Sequence, residues 1–122
     1  MIGIRADANE KIASGHIMRC IAIAEQMNSS SEQVVFITAD HFPDSLLDEK
    51  GYQHVCLSSD WKDKNSELES LTLCLEKYNI TTLIVDSYEA TRQYLQTLHK
   101  LIKVVYIDDI VIFFQKECLH TR

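Results

Sequence analysis

A doubly wound, Rossmann-like parallel α/β sheet is the fold this sequence predicts, and three observations predict it. Short apolar runs alternate along the chain with stretches whose apolar residues recur at helical spacing. One of the runs, Thr82-Leu83-Ile84-Val85, is unbroken enough to read as a strand covered on both faces. The whole chain is 122 residues long and 46% hydrophobic, enough for one core and one domain. Strands joined by helices of ordinary length form βαβ units, and right-handed crossovers make the sheet parallel.

The elements follow in order. Met1-Ile2-Gly3-Ile4 opens the first strand, and from His16 onward Ile17, Ile21, Ala24 and Met27 mark one face of a helix that Ser14 or Gly15 can cap. Gln33 to Thr38 is the second strand; Pro43 starts a helix with Leu46 and Leu47 on its apolar face, and Gly51 stops it. His54-Val55-Cys56-Leu57 is the third strand. Ser66-Glu67-Leu68-Glu69 reads as a capping box ahead of a helix lined by Leu68, Leu71, Leu75 and Tyr78, which Asn79 closes. After the fourth strand, a helix through Tyr94, Leu95 and Leu98 leads to the fifth, Lys103 to Ile107. One proline and three glycines leave no flexible linker, and the chain shows no internal repeat.

Charge and cysteine content exclude several function classes. Twelve Lys and Arg against eighteen Asp and Glu give a net charge of −6, which argues against nucleic acid or an anionic membrane surface as partner. The four cysteines, at 20, 56, 74 and 118, form no C-x-x-C pair; Cys20 and Cys74 fall in helical patterns and read as small buried hydrophobes of a reducing compartment. Neither disulfides nor structural zinc are expected. No basic-then-apolar leader opens the chain and no apolar run approaches about 18 residues, so a cytoplasmic location is expected.

Ligands of doubly wound sheets bind beyond the carboxyl ends of the strands, where strand order reverses. To that edge the first strand delivers Asp7 and the Ser14-Gly15-His16 turn, the second Thr38 to His41, the fourth Asp86-Ser87-Tyr88 and the fifth Asp108-Asp109. His16 falls in the first helical turn, where unpaired amides and the positive end of the helix dipole favour an anionic or oxygen-rich ligand. That field, with Arg19 one turn along, disfavours imidazolium, which leaves His16 neutral near pH 7 and competent as a general base. Each feature has an ordinary reading as well. His16 can be a solvated first-turn residue, Asp86 or Ser87 a helix cap with Tyr88 packed beside it, and Asp108-Asp109 a solvated strand end rather than a magnesium site. His41 reads as part of the loop into Pro43. The alternating charges of Asp60-Trp61-Lys62-Asp63-Lys64 read as a solvated loop, with Trp61 either covering the core edge or stacking on a sugar.

Arg5-x-Asp7 followed by Ser14-Gly15-His16-x-x-Arg19-Cys20 resembles the opening motif of the UDP-sugar hydrolase of pseudaminic acid biosynthesis and the related spore-coat polysaccharide protein family. Leu83-Ile84-Val85-Asp86-Ser87-Tyr88 and Val104-Val105-Tyr106-Ile107-Asp108-Asp109 resemble two further strand-end motifs of that family, in the same order. The resemblance covers residues 1–109; it departs at Ala13, where the family more often carries a second glycine.

The resemblance implies the N-terminal half of a GT-B glycosyltransferase-like fold: residues 1–109 as the Rossmann-like domain, 110–122 as a divergent tail, and the nucleotide-binding C-terminal domain absent from this chain. The tail's apolar run, Ile110 to Phe114, reads as a last strand or helix or as an exposed segment, and the chain as an interrupted or separately made half. The implied reaction is hydrolysis of a UDP-linked diacetamido-trideoxy-hexose, with His16 as general base on water and no cofactor. The resemblance further implies that Arg19 and the loop amides orient the substrate, that Arg5 and Asp7 hold the loop or touch the sugar, and that Ser14, Gly15 and Tyr88 line the same pocket. A complementary C-terminal domain is the implied protein partner, and the isolated half is expected to be weak or inactive. The alternative is a stand-alone, non-catalytic module that binds a small phosphorylated ligand or a protein. A receiver domain fits poorly, because Asp7 has no acidic neighbour.

Overall fold

The computed structural model describes residues 1–7, 15–29, 33–60, 63–86, 90–107 and 112–114; for residues 15, 16, 28, 29, 64, 65 and 112–114 only the backbone is described. Ser14, Trp61, Ser87, Tyr88, Asp108 and Asp109 lie outside the described residues. The chain runs β1 (Ile2–Ala6), α1 (Gly15–Ser29), β2 (Val34–Thr38), α2 (Asp44–Glu49), β3 (Gln53–Cys56), a 3-10 turn (Lys64–Glu67), α3 (Leu68–Lys77), β4 (Thr82–Asp86), α4 (Arg92–His99), β5 (Lys103–Ile107) and β6 (Ile112–Phe114). In the sheet the order is β3-β2-β1-β4-β5-β6. The first five strands are parallel, in the order of a Rossmann-like fold, and the order reverses between β1 and β4.

Period-two alternation divides the core between the two faces of the sheet. Ile4, Phe36 and Ile84 point to the face covered by α1 and α2, where they pack with Ile17, Ile21, Ala24 and Leu47. Val35, Ile37, Leu83 and Val85 point to the other face, against Leu71 and Leu75 of α3 and Tyr94 and Leu98 of α4. β4 is buried on both faces, as its unbroken apolar run predicts. Gly3 lies on the α3 and α4 face; a Cβ there would stand 3.1 Å from Ile80 and Leu83 side-chain atoms, so the glycine lets β1 lie close under them.

The helix stops fall where expected. Gly51, at φ 80°, and Asn79, at φ 54°, both take the left-handed conformation after α2 and α3, and the next residues, Tyr52 and Ile80, donate back to Leu47 and Leu75 carbonyls at 2.9 Å. One expectation is corrected. No capping box forms at α3: a 3-10 turn precedes the helix, Ser66 Oγ donates to the Asp63 carbonyl at 2.7 Å, and the residue at the cap is Glu67, which makes no side-chain cap. Its carboxylate is drawn inside the protein instead. The apolar stretch after residue 109 supplies β6, which pairs antiparallel with β5 through Tyr106–Phe113 and Ile107–Ile112. Four residues separate the two strands, too few for a parallel crossover, so the chain returns antiparallel and the sheet extends beyond residue 109.

Candidate functional site

At the carboxyl edge of the sheet, two arginine–carboxylate clusters stand on opposite faces at the ends of paired strands. The first grows from Arg5, one residue from the end of β1 and on the face of α3 and α4. An arginine inside an apolar strand has to find acceptors where the chain buries it, and Arg5 is fully buried. Its Nε and Nη2 fork onto Glu67 Oε2 and Oε1 at 2.8 and 2.7 Å, while Nη1 donates to Asp7 Oδ1 at 2.7 Å and to the Ala6 carbonyl at 3.2 Å. Glu67 also accepts from Tyr94 Oη at 2.6 Å and from Ser59 Oγ at 3.2 Å. Asp7 Oδ1 accepts the Ala39 amide at 2.9 Å, and the Ala39 carbonyl accepts the Ser59 amide at 2.9 Å.

These bonds close a ring through Arg5, Asp7, Ala39, Ser59 and Glu67, with Tyr94 attached from α4. Two carboxylates share one guanidinium, and the other donors of the ring are neutral. Burial alone would push the Arg5 guanidinium down, but the hydrogen bond to Glu67 and the charges of Asp7 and Glu67 outweigh it and hold Arg5 above its usual range. Burial and then the Glu67 carboxylate push the Tyr94 phenol well above its usual value. Both groups are fixed in their protonated forms.

The second cluster lies on the α1 face, at the switch point itself. Asp86 ends β4 directly beside Ala6 of β1, and is 1% exposed. Arg19 reaches it from the second turn of α1 with a fork of its own, Nε to Oδ2 at 3.0 Å and Nη2 to Oδ1 at 2.7 Å. The Cys20 thiol donates to the same Oδ2 at 3.4 Å. Burial, and then the charge of Asp86, keep that thiol well above its usual range. Unlike Arg5, the Arg19 side chain is about a third exposed, at 35%.

The site residues expected from sequence therefore divide. Arg19 and Asp7 stand at the edge, and Gly15 and His16 are the first two residues of α1, at the same end of the sheet. Arg5 sits behind that edge, fully buried, with its donors directed to Glu67, Asp7 and the Ala6 carbonyl. Asp86 does not cap the following helix: Thr91 does, its Oγ1 accepting the Tyr94 amide at 3.1 Å, because Asp86 is already held by Arg19 and Cys20. Cys20 is buried as expected, but it is a hydrogen-bond donor and not only a small hydrophobe. His41 is exposed, pairs with Asp44 Oδ2 at 2.7 Å, and belongs to the entry of α2.

Sequence reasoning missed Glu67, Tyr94 and Ser59. A signal for Glu67 was present, since it occupies the same helical stripe as Leu71, Leu75 and Tyr78, and an acid on a buried stripe calls for a buried cation. Among the described residues no group of three His, Cys, Asp or Glu side chains is placed to hold a metal ion. A groove of about 460 Å³ opens at the opposite, amino end of the sheet, beside Leu75, Ile80, Leu101 and Ile102. Its one ionisable lining residue is Glu76, so it lacks the convergent charged groups of the carboxyl edge. None of the described helices is long and apolar enough to cross a membrane. Comparison with known proteins gives no match to a family model and none to a curated sequence.

Proposed function

We propose that this chain is the N-terminal half of a nucleotide-sugar hydrolase that releases UDP from a UDP-linked diacetamido-trideoxy-hexose. The observation that carries the reading is the Arg19–Asp86 fork. It joins two of the three sequence segments that resemble the hydrolase family, 67 residues apart in the chain, at the switch point where doubly wound sheets bind ligands. Arg19 is fixed by a buried carboxylate and still about a third exposed, which suits a cation that orients an anionic ligand. The start of α1 at the same edge brings the positive end of its dipole.

In the proposed reaction a water oxygen attacks the anomeric carbon of the sugar, the bond from that carbon to the diphosphate oxygen breaks, and UDP leaves with the bonding electron pair. His16, in the first turn of α1, takes the proton from the attacking water. Arg19 and the amides at the start of α1 orient the substrate, Gly15 allows its close approach, and Ser14 and Tyr88 are proposed to contact the substrate. A complementary C-terminal domain supplies the remaining contacts to the diphosphate.

Two measurements test the reading. UDP and the UDP-diacetamido sugar are titrated into the isotope-labelled chain, with amide shifts expected at residues 15–19. UDP release is then followed for the chain joined to or mixed with a complementary domain, where His16→Asn is expected to abolish turnover with the fold intact. Turnover retained by His16→Asn removes His16 as the base. A silent titration with both ligands favours a non-catalytic module instead.

A further inference from the structure

We infer that Glu67 and Tyr94 are positioning residues for the carboxyl edge: acting through Arg5, they set where the Asp7 carboxylate and the Ala39 amide stand at the ends of β1 and β2. The relevance of that edge to a ligand rests on the function proposed above; the positioning itself does not.

The argument starts from the acceptor capacity of Glu67. A carboxylate offers about four lone-pair sites, and here four donors fill them: Arg5 Nε and Tyr94 Oη on Oε2, Arg5 Nη2 and Ser59 Oγ on Oε1. With both oxygens occupied, the planar fork of Arg5 has one orientation, and that orientation aims Nη1 at Asp7. Asp7 Oδ1 then accepts both Nη1 and the Ala39 amide, which ties the first residue beyond β1 to the first residue beyond β2. Ser59 returns the link from Ala39 to Glu67 and pins the loop after β3 to the same frame. Ser58 beside it holds φ at 55°, a left-handed conformation that a non-glycine residue keeps where its surroundings enforce it.

The ring includes a carboxylate at the strand edge, 4% exposed, whose orientation is tied through Arg5 to Glu67 at the start of α3 and to Tyr94 of α4. Small displacements of such a group are costly for a bound ligand, since orientation within a fraction of an ångström governs reactivity.

The test uses Glu67→Gln, Tyr94→Phe and Ser59→Ala in the whole chain, with Leu75→Ala as a control that thins the core on α3 and removes no hydrogen-bonding member of the ring. The readouts are the Ala39 amide proton shift, its hydrogen-exchange protection and affinity for the UDP-diacetamido sugar. All three ring variants are expected to move the Ala39 amide, Glu67→Gln most, and Leu75→Ala to leave it in place while lowering stability. For the ligand, Glu67→Gln is expected to weaken binding by on the order of tenfold. An Ala39 amide unmoved in Tyr94→Phe and Ser59→Ala overturns the inference even if Glu67→Gln fails to fold. If the unaltered chain binds no UDP sugar, the proposed hydrolase fails while the Ala39 readout still decides the positioning. If the unaltered chain binds and the variants bind equally well, the ring does not serve the ligand.

Discussion

Arg5 and Arg19 make the same fork on a carboxylate, at neighbouring strand ends and on opposite faces of one sheet, and differ in what lies beyond the fork. Around Arg5 two carboxylates, a phenol, a hydroxyl and a backbone amide close the network, and no part of the guanidinium reaches solvent. At Arg19 the fork meets a carboxylate that also accepts a thiol, and about a third of the arginine side chain is exposed. The contrast teaches how one sheet edge acquires both a fixed frame and an accessible charge. A fully buried cation surrounded by acceptors serves as architecture, whereas a cation whose side chain is partly exposed can present charge at the surface.

The largest effect that would break this comparison comes from Glu67→Ala, which leaves Arg5 buried with only Asp7 to oppose it. Removing one partner of a buried ion pair costs about 3–5 kcal/mol, a large share of the roughly 5–15 kcal/mol that holds a domain together. Urea unfolding measures it, and a loss below about 1 kcal/mol would mean that water reaches Arg5 and the frame is not sealed. Tyr94→Phe ranks next, at about 1.5–3 kcal/mol, the range for a hydrogen bond to a charged group. A neutral result in the same unfolding series would remove α4 from the frame.

Arg19→Ala sharpens the other side. Its stability cost is expected to be about 1–2 kcal/mol, below that of Glu67→Ala, because solvent can replace the lost donors at a partly exposed position. Its effect on UDP-sugar binding is expected to exceed that of any Arg5-ring variant, as a calorimetric titration would record. Equal stability losses in Glu67→Ala and Arg19→Ala would erase the distinction between a buried frame and a partly exposed charge.

Alkaline pH gives the smallest effect. The folded state holds the Tyr94 phenol protonated to higher pH than the unfolded chain does, so the associated stability is complete below the ordinary phenol value of about 10 and is lost as pH rises beyond it. Between pH 10 and 11 the unfolding free energy should fall by about 1 kcal/mol from this group, and Tyr94→Phe should remove that part of the slope. Cys20 adds a similar decline that begins above about pH 8.5. A slope equal in Tyr94→Phe and the unaltered chain would show that the phenol ionises inside the ring without penalty.

The parts of the molecule legible in the sequence are those governed by local rules. Strand runs, the left-handed stops at Gly51 and Asn79 and the placement of Gly15 and His16 at the start of α1 follow from periodicity and backbone preference within a few residues. Arg5 and Glu67 stand 62 residues apart, and their pairing depends on which face each element presents. The local reading of Ser66 to Glu69 as a capping box lost to that long-range pairing: burying Arg5 without Glu67 would cost several kcal/mol, whereas a cap contributes about one. The Arg19–Asp86 fork stayed hidden for a related reason, since strand order, not sequence order, sets β4 beside β1. The antiparallel return of β6 turned on a short connection whose ends both read as apolar.

The thiol at Cys20 has a consequence of another kind. Oxidants and alkylating agents attack the thiolate, and a sulfhydryl whose proton is shared with a buried carboxylate supplies almost none. The carboxylate at the switch point is thus fixed by a donor that resists chemical wear, and the geometry around Asp86 is insulated from swings in the redox state of its surroundings.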